Sequence, residues 1–316
     1  MRRQIGFLGA FVVLLLQGLA WAAEPVAVLT EIRIGRGEVQ VKRAGEPDWK
    51  APQPLLALRP GDQVRVEGDG QAVLVFTGGR GTQIVSPANS PFTVQAPTGD
   101  TGPERLRALV ASVTQFLLGQ QKELTYQSLS VRSARVGPPL ILSPRQTRIL
   151  PGAVTFEWAG SDYLRYSIRV FGPQGLLWEQ ANVQRQPLGL PEEAAAFRAG
   201  VRYTWELQAK GHPVQRTHFE VLPSSDGARV QSALALLQPA TLSGYPRNTI
   251  VLMRASLLFQ EGLYYEARRE LLAGIAADPD EPALRLLLGR VYDQVGLKDL
   301  AAEQFDQVLF LSTPRP

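Results

Sequence analysis

NTIVLMRASLLFQEGLYYEARRELLAGIAADPDE (residues 248–281) and PALRLLLGRVYDQVGLKDLAAEQFDQVLFLSTP (residues 282–314) share one pattern at a spacing of 34 residues. Gly262 recurs as Gly296, Ala267 as Ala301 and Leu271 as Phe305. In the second copy Leu288-Gly289 is followed by Tyr292, and Ala301 by Phe305. This small-large order lets two antiparallel helices nest. The first copy is looser, with Arg254-Ala255 in place of Leu288-Gly289 and Leu258 in place of Tyr292. It ends at Asp278-Pro279, where proline, lacking an N–H and clashing with the preceding turn, stops a helix. Upstream, after the linker Pro223–Asp226, a helix is expected from Ala228 to Gln238; its Ala233 and Leu237 stand one further period before Ala267 and Leu271. Pro246 likewise precedes Pro314 by two periods. Residues 226–246 thus read as a degenerate half-repeat and residues 248–314 as two full repeats.

The period and its residues resemble the tetratricopeptide repeat. The resemblance assigns structural places to Gly262, Ala267, Leu271, Pro279, Leu288, Gly289, Tyr292, Gly296, Ala301 and Phe305, and it implies binding rather than catalysis. A repeat cannot bury its own apolar face, and arrays usually need three or more units. No polar capping helix follows Phe310. Leu309 and Phe310 are therefore expected either as an interface, with a partner protein or with a second copy of the chain in a homo-oligomer, or folded back into the groove of the last repeat itself.

Working back to the N-terminus, Met1-Arg2-Arg3 leads into an apolar run from Ile5 to Leu16 and then Ala20-Trp21-Ala22, the order of a cleaved secretory signal over residues 1–22. An uncleaved anchor is the alternative, and twin-arginine export fits poorly after Arg2-Arg3. The chain has no cysteine, which excludes disulfides, thiolate nucleophiles, cysteine-ligated metals and N-terminal lipidation together. Losing Arg2 and Arg3 takes the formal charge from +4 to about +2, too little for a nucleic-acid footprint. An apolar share of 45% with 20% charged residues is that of a folded globular chain.

Residues 27–98 alternate apolar and polar side chains in short bursts: Val39 and Val41, Val64 and Val66, then Ala72, Leu74 and Phe76. Turns at Arg59–Asp62, Gly68–Gly70 and Gly78–Gly81 separate them. The layout, with Gly37 before a strand, Trp49, a Leu58-x-x-Gly61-Asp62 turn and a strand ending at Phe76, resembles the FecR-type periplasmic domain. That family's founding members signal to a cytoplasmic sigma factor through an N-terminal segment. Only Met1–Gln4 stand before the apolar run here, so the location and a binding surface are expected to carry over and the signalling role is not.

Residues 100–124 hold an amphipathic helix, with Leu106, Leu109, Val110, Val113, Phe116 and Leu117 on one face, expected as a bridge. Residues 138–222 alternate again around Trp158, Tyr166–Val170 and Tyr203–Leu207, and resemble a fibronectin type III or immunoglobulin-like sandwich, Phe197-x-x-Gly200-x-x-Tyr203 standing where such folds carry a tyrosine corner. The expected fold class is therefore a multidomain string: an all-β FecR-like module, a bridging helix, a β-sandwich, and all-α tetratricopeptide repeats.

No constellation of catalytic groups emerges, and no cofactor or metal site is expected. His212 lies in a Gly-His-Pro turn and His218 in a strand, without a third ligand nearby. Glu192-Glu193 falls in a loop, while Asp278–Glu281 is placed to cap the next helix, with Pro282 at its first position. Gly78–Gly81 lacks the lysine and the following helix of a phosphate loop. Trp49 and Trp178, each beside a charged residue near a turn, are the tryptophans expected to serve as exposed contacts. The expected function is a non-enzymatic periplasmic scaffold binding envelope proteins; the alternatives are a module binding envelope glycan or peptidoglycan, or a FecR-like signalling component. N-terminal sequencing of the mature protein is expected to begin at Ala23 or within about two residues of it, and Met1 retained in the membrane fraction would make the apolar run an anchor.

Overall fold

The computed structural model describes residues 24–95, 103–120, 138–184, 186–190 and 197–313. The expected signal, Glu192-Glu193 and Pro314 lie outside them. The first region holds β1 (Ala27–Arg33), β2 (Val39–Lys42), β3 (Ala57–Leu58), β4 (Gln63–Val66), β5 (Gln71–Phe76), β6 (Thr82–Val85) and β7 (Phe92–Thr93). They form two antiparallel sheets, ordered β3-β1-β5-β6 and β2-β4-β7. The alternating valines meet as expected, since Val39, Val41, Val64 and Val66 bury themselves against Ala27, Leu29, Ala72, Leu74 and Phe76 between the two sheets.

Alternation alone does not explain β1 and β5, which are buried on both faces. Val28 and Val75 point away from the second sheet, onto α1 (Glu104–Gly119), whose Val110, Val113 and Leu117 cover them. The same core continues without a break into the C-terminal helices α2 (Ser224–Leu236), α3 (Arg247–Gln260), α4 (Tyr264–Ala277), α5 (Pro282–Gln294) and α6 (Lys298–Ser312). Phe116 of α1 meets Phe259 of α3 with ring centroids 5.2 Å apart.

The middle region adds β8 (Leu140–Ser143), β9 (Thr147–Ile149), β10 (Thr155–Ala159), β11 (Tyr166–Gly172), β12 (Gly175–Val183), β13 (Leu188–Gly189), β14 (Arg202–Ala209) and β15 (Gln215–Val221). A three-stranded sheet, β13-β10-β8, and a five-stranded sheet, β12-β11-β14-β15-β9, enclose a second core around Trp158, Tyr166, Tyr203, Trp205 and Phe219. Within it Phe197 packs edge-on to Tyr203 at 4.7 Å, Gly200 turns with φ +74°, and the Tyr203 hydroxyl accepts a hydrogen bond from the Arg198 N–H at 2.8 Å.

The helices form two hairpins, α3–α4 and α5–α6, with the same turn in each. Gly262 and Gly296 take φ +70° and +77°. The N–H of the residue after each glycine reaches back to the final turn of the helix, Leu263 to Leu258 O at 2.8 Å and Leu297 to Tyr292 O at 2.8 Å. These are matched Schellman caps, which glycine closes without a Cβ penalty. Ala267, Leu271, Leu288, Tyr292, Ala301 and Phe305 are all buried, and the Phe305 ring lies so close to Gly289 that a Cβ there would stand 2.5 Å from it. Pro279 sits exposed at the junction of α4 and α5.

One expectation is overturned. The chain is not a string of an all-β FecR-like module, a bridging helix, a fibronectin- or immunoglobulin-like sandwich and an all-α array. It is a mixed α/β fold with a β-rich N-terminal region, a middle β region and a C-terminal helical region, the first and last sharing one core. The reason is burial. Two helical hairpins leave apolar surface uncovered, sheet β3-β1-β5-β6 carries a second apolar face, and α1 lies between them in contact with both. Rather than bridging two modules, α1 contributes one buried face to their common core.

The seat of α1 is set by the turn between β5 and β6. Gly79, at φ +69°, lies against the helix so closely that a Cβ would come within 2.5 Å of Arg107 O. Gly78, at φ +74°, has only the Arg80 side chain near it. Gly79→Ala is therefore expected to destabilise the protein by about 2–4 kcal/mol, and Gly78→Ala by about 1 kcal/mol, in urea melts; equal losses would mean that backbone strain rather than the α1 contact sets the cost. In the middle region, Trp158→Ala is expected to cost about 3–5 kcal/mol, since the side chain is fully buried among aromatic rings.

Candidate binding cleft

Three helix N-termini in this fold point at the β regions, and each N-terminal N–H must find an acceptor. In α5 the acceptor is local: Glu281 Oε1 accepts from the Ala283 N–H at 3.0 Å, with Pro282 at the first helical position as expected. The equivalent N–H one period earlier, on Thr249 of α3, follows Pro246, which has no capping side chain. Its acceptor comes from β1, where Glu31 Oε1 accepts from the Thr249 N–H at 2.8 Å and from the Thr249 hydroxyl at 2.7 Å. The N–H of Tyr265 in α4 donates to the Thr147 hydroxyl of β9 at 3.2 Å. Two of the three caps thus arrive from strands more than a hundred residues away in the chain.

A bulge makes the β1 cap geometrically available. The register of β1 on β5 slips between Leu29 and Glu31, so Thr30 and Glu31 both reach α3, the Thr30 and Thr249 hydroxyl oxygens lying 3.0 Å apart. The second oxygen of Glu281 returns the contact, accepting from the Ile32 N–H on the free edge of β1 at 3.3 Å. Asp278 closes the cluster: its Oδ2 accepts from Arg33 at 3.0 Å and from the Asn248 amide at 2.7 Å.

Burial pushes the Glu31 carboxyl up, against the hydrogen bonds from Thr249 that pull it down. Burial pushes Glu281 well above the ordinary carboxylate range, and the neighbouring Glu31 and Asp278 raise it further. A third glutamate holds the other seam. Glu266 of α4 accepts from the Leu150 N–H at 2.7 Å, and burial raises its pKa to about 7. Arg268 of α4 pairs with Glu157 of β10 at 2.8 Å on the same side.

In front of the Glu31–Glu281 cluster opens a cleft of about 1000 Å³, walled by Ile32–Glu38, by Ala277, Asp278 and Asp280 at the end of α4, and by Leu311 and Thr313 at the end of α6. A smaller apolar pocket of about 180 Å³ adjoins it through Ile32, Ile34 and Glu38, and extends to Val39, Ala51, Pro52 and Ser312. The rim carries both signs of charge, Arg33 and Arg36 facing Glu38, Asp278 and Asp280. Leu309 and Phe310 stand exposed on α6, 55% and 63% accessible, on the helix whose end walls the cleft but outside both linings.

The expected contact tryptophans are placed differently from one another. Trp49 is half-buried, with the Arg65 guanidinium 4.5 Å and the Lys42 ammonium 5.1 Å from its ring centre. Trp178 stacks on Phe156 at 6.4 Å as part of the middle core. Its neighbours Leu176 and Leu177 are the large apolar residues of that strand that stand exposed. His212 sits in the turn between β14 and β15 and His218 on β15; no group of three metal-ligating side chains occurs among the described residues. Among the same residues no helix is long and apolar enough to cross a membrane. Glu31, Thr249, Thr147 and Glu266 escaped sequence reading. The available signal was Glu31 itself, a lone carboxylate inside the otherwise uncharged run from Val26 to Ile32.

No protein-family model matches this chain, and no curated protein matches it.

Glu31→Ala removes the acceptor for α3 and is expected to cost about 1–3 kcal/mol in urea melts, with Glu31→Gln, which keeps an acceptor oxygen, costing less. Glu266 titrates near 4.5 when unfolded and at about 7 when folded, so its contribution is full below the lower value and is lost as the pH climbs to the higher. The urea midpoint is expected to fall across that window, and to fall less in Glu266→Gln.

Proposed function

We propose that this chain is a non-enzymatic binding protein of the cell envelope, exported to the periplasm by residues 1–22, which holds a segment of a partner protein in the cleft between β1 and the ends of α4 and α6. The observation that carries the reading is a cleft of about 1000 Å³ with an adjoining apolar pocket, walled by the end of the same helix on which Leu309 and Phe310 stand exposed. Apolar anchors beside a charged rim suit a protein segment, whose side chains need both a pocket and orienting polar contacts. The resemblances of residues 27–98 to the FecR domain and of residues 248–314 to tetratricopeptide repeats point the same way, toward the envelope and toward protein binding. The mixed charge of the rim provides for polar contacts of either sign with the bound segment.

Crosslinking mass spectrometry on the full-length protein in envelope extract tests this. Crosslinks are expected to cluster at residues 33–38, 277–280 and 309–313, and Phe310→Glu is expected to weaken capture at least tenfold, the loss typical of removing one apolar anchor. Retention on isolated murein with the cleft uncrosslinked would overturn the reading in favour of glycan binding.

A further inference from the structure

The contact between β1 and the helical array is made by two carboxyl groups from opposite sides, Glu31 reaching from the strand to α3 and Glu281 reaching from α5 to the strand. Both are buried, and each carries interelement hydrogen bonds. The edge of β1 is bonded to the β3 side as far as Leu29, whose N–H and carbonyl meet Leu56 O and the Leu55 N–H; beyond it, among the described residues, no strand pairs with this edge. The Glu281 bond to Ile32 holds that edge in place of a strand. We propose that this junction is a proton-operated latch: with Glu31 and Glu281 protonated, the end of β1 stays docked on α3 and α5, and with both ionised it lifts and the cleft widens.

The charges facing the junction decide the direction. From β1 come Glu31 and Arg33; from α3 come the neutral Asn248 and Thr249; from the end of α4 comes Asp278; from the link to α5 come Asp280 and Glu281. Val73, opposite Glu31 on β5, brings no charge. Arg33 is already bound to Asp278 and is half exposed, so it compensates weakly for a second and third buried anion. Burial therefore favours the neutral carboxyls, and ionising both places like charges together away from water. Ile32 and Arg33 also wall the cleft, so that moving this strand end changes its width. The consequence for partner binding rests on the function proposed above; the latch itself does not.

The chain contains no cysteine, so paired labels can be placed cleanly. Spin labels at Arg36→Cys and Ala276→Cys in the full-length protein report across the cleft, and a pair at Ala276→Cys and Glu303→Cys reports within the helical region. Electron–electron distances are to be measured at about pH 5.5 and about pH 9, on either side of the range that raised carboxyl pKa values span. The cross-cleft distribution is expected to be narrow at the lower pH and longer and broader at the higher, while the helical pair stays constant. The double variant E31Q/E281Q, which cannot ionise and keeps one acceptor oxygen at each position, is expected to be narrow at both. An unchanged wild-type distribution overturns the latch, as does a helical pair that broadens in parallel, or a double variant that opens with pH as the wild type does. Partner capture at the same two pH values is a separate readout: a latch that moves without changing capture sinks the binding proposal and leaves the latch standing.

Discussion

The fold depends on Glu31 of β1 accepting hydrogen bonds from Thr249 at the start of α3. A helix that begins after Pro246 leaves its first N–H groups without partners, and burying them against a sheet would cost a desolvation penalty for each. The strand supplies the acceptor, and in doing so fixes where the helical region sits on the first sheet. Around that point the apolar surfaces of both elements, with one face of α1, make one core. Hydrophobic burial supplies most of the free energy, but it is not directional. The carboxylate sets the register.

A similar arrangement recurs at the second seam. The segment Arg145–Thr155 runs past the two helical turns, with Arg148 N–H donating to Gly262 O at 2.9 Å and Arg145 Nε donating to Val295 O at 2.9 Å. A Cβ on Gly262 would stand 3.4 Å from Arg148, and one on Gly296 4.0 Å from Arg145. Two arginines three residues apart thus meet two turns one period apart. The 34-residue period also presents two equivalent carbonyls to one segment of the middle region, Glu261 O to the Arg148 guanidinium at 3.0 Å and Val295 O to Arg145 Nε at 2.9 Å.

Seams built from buried carboxyls and backbone N–H groups have a physical consequence. Burial disfavours the ionised form of each of the three glutamates, and each has one oxygen that accepts from another element. Desolvation opposes their ionisation while the hydrogen bonds favour it, and at Glu31, Glu266 and Glu281 desolvation is the larger effect. The fold is consequently held together by groups whose charge changes in a range where surface carboxylates are already ionised.

Much of the local structure was legible in the residues. Period-2 alternation located β2, β4 and one face of β5, the 34-residue repeat located α3 to α6, and Gly262 and Gly296 marked their turns, because each of these depends on neighbours within a few positions. Leu309 and Phe310 were legible as an uncovered end for the same reason. The second faces of β1 and β5, the part α1 takes in the shared core, the Trp178 stack and the cleft were not. They depend on contacts between residues far apart in the chain, over two hundred positions in the case of Glu31 and Thr249, and a capping partner at that distance leaves no spacing to read. The sequence by itself determined which elements form and which of their faces are apolar, since propensity and periodicity are local. Only the tertiary structure decided which apolar face covers which, because burial rewards any adequate cover and the choice among covers rests on a few buried polar contacts.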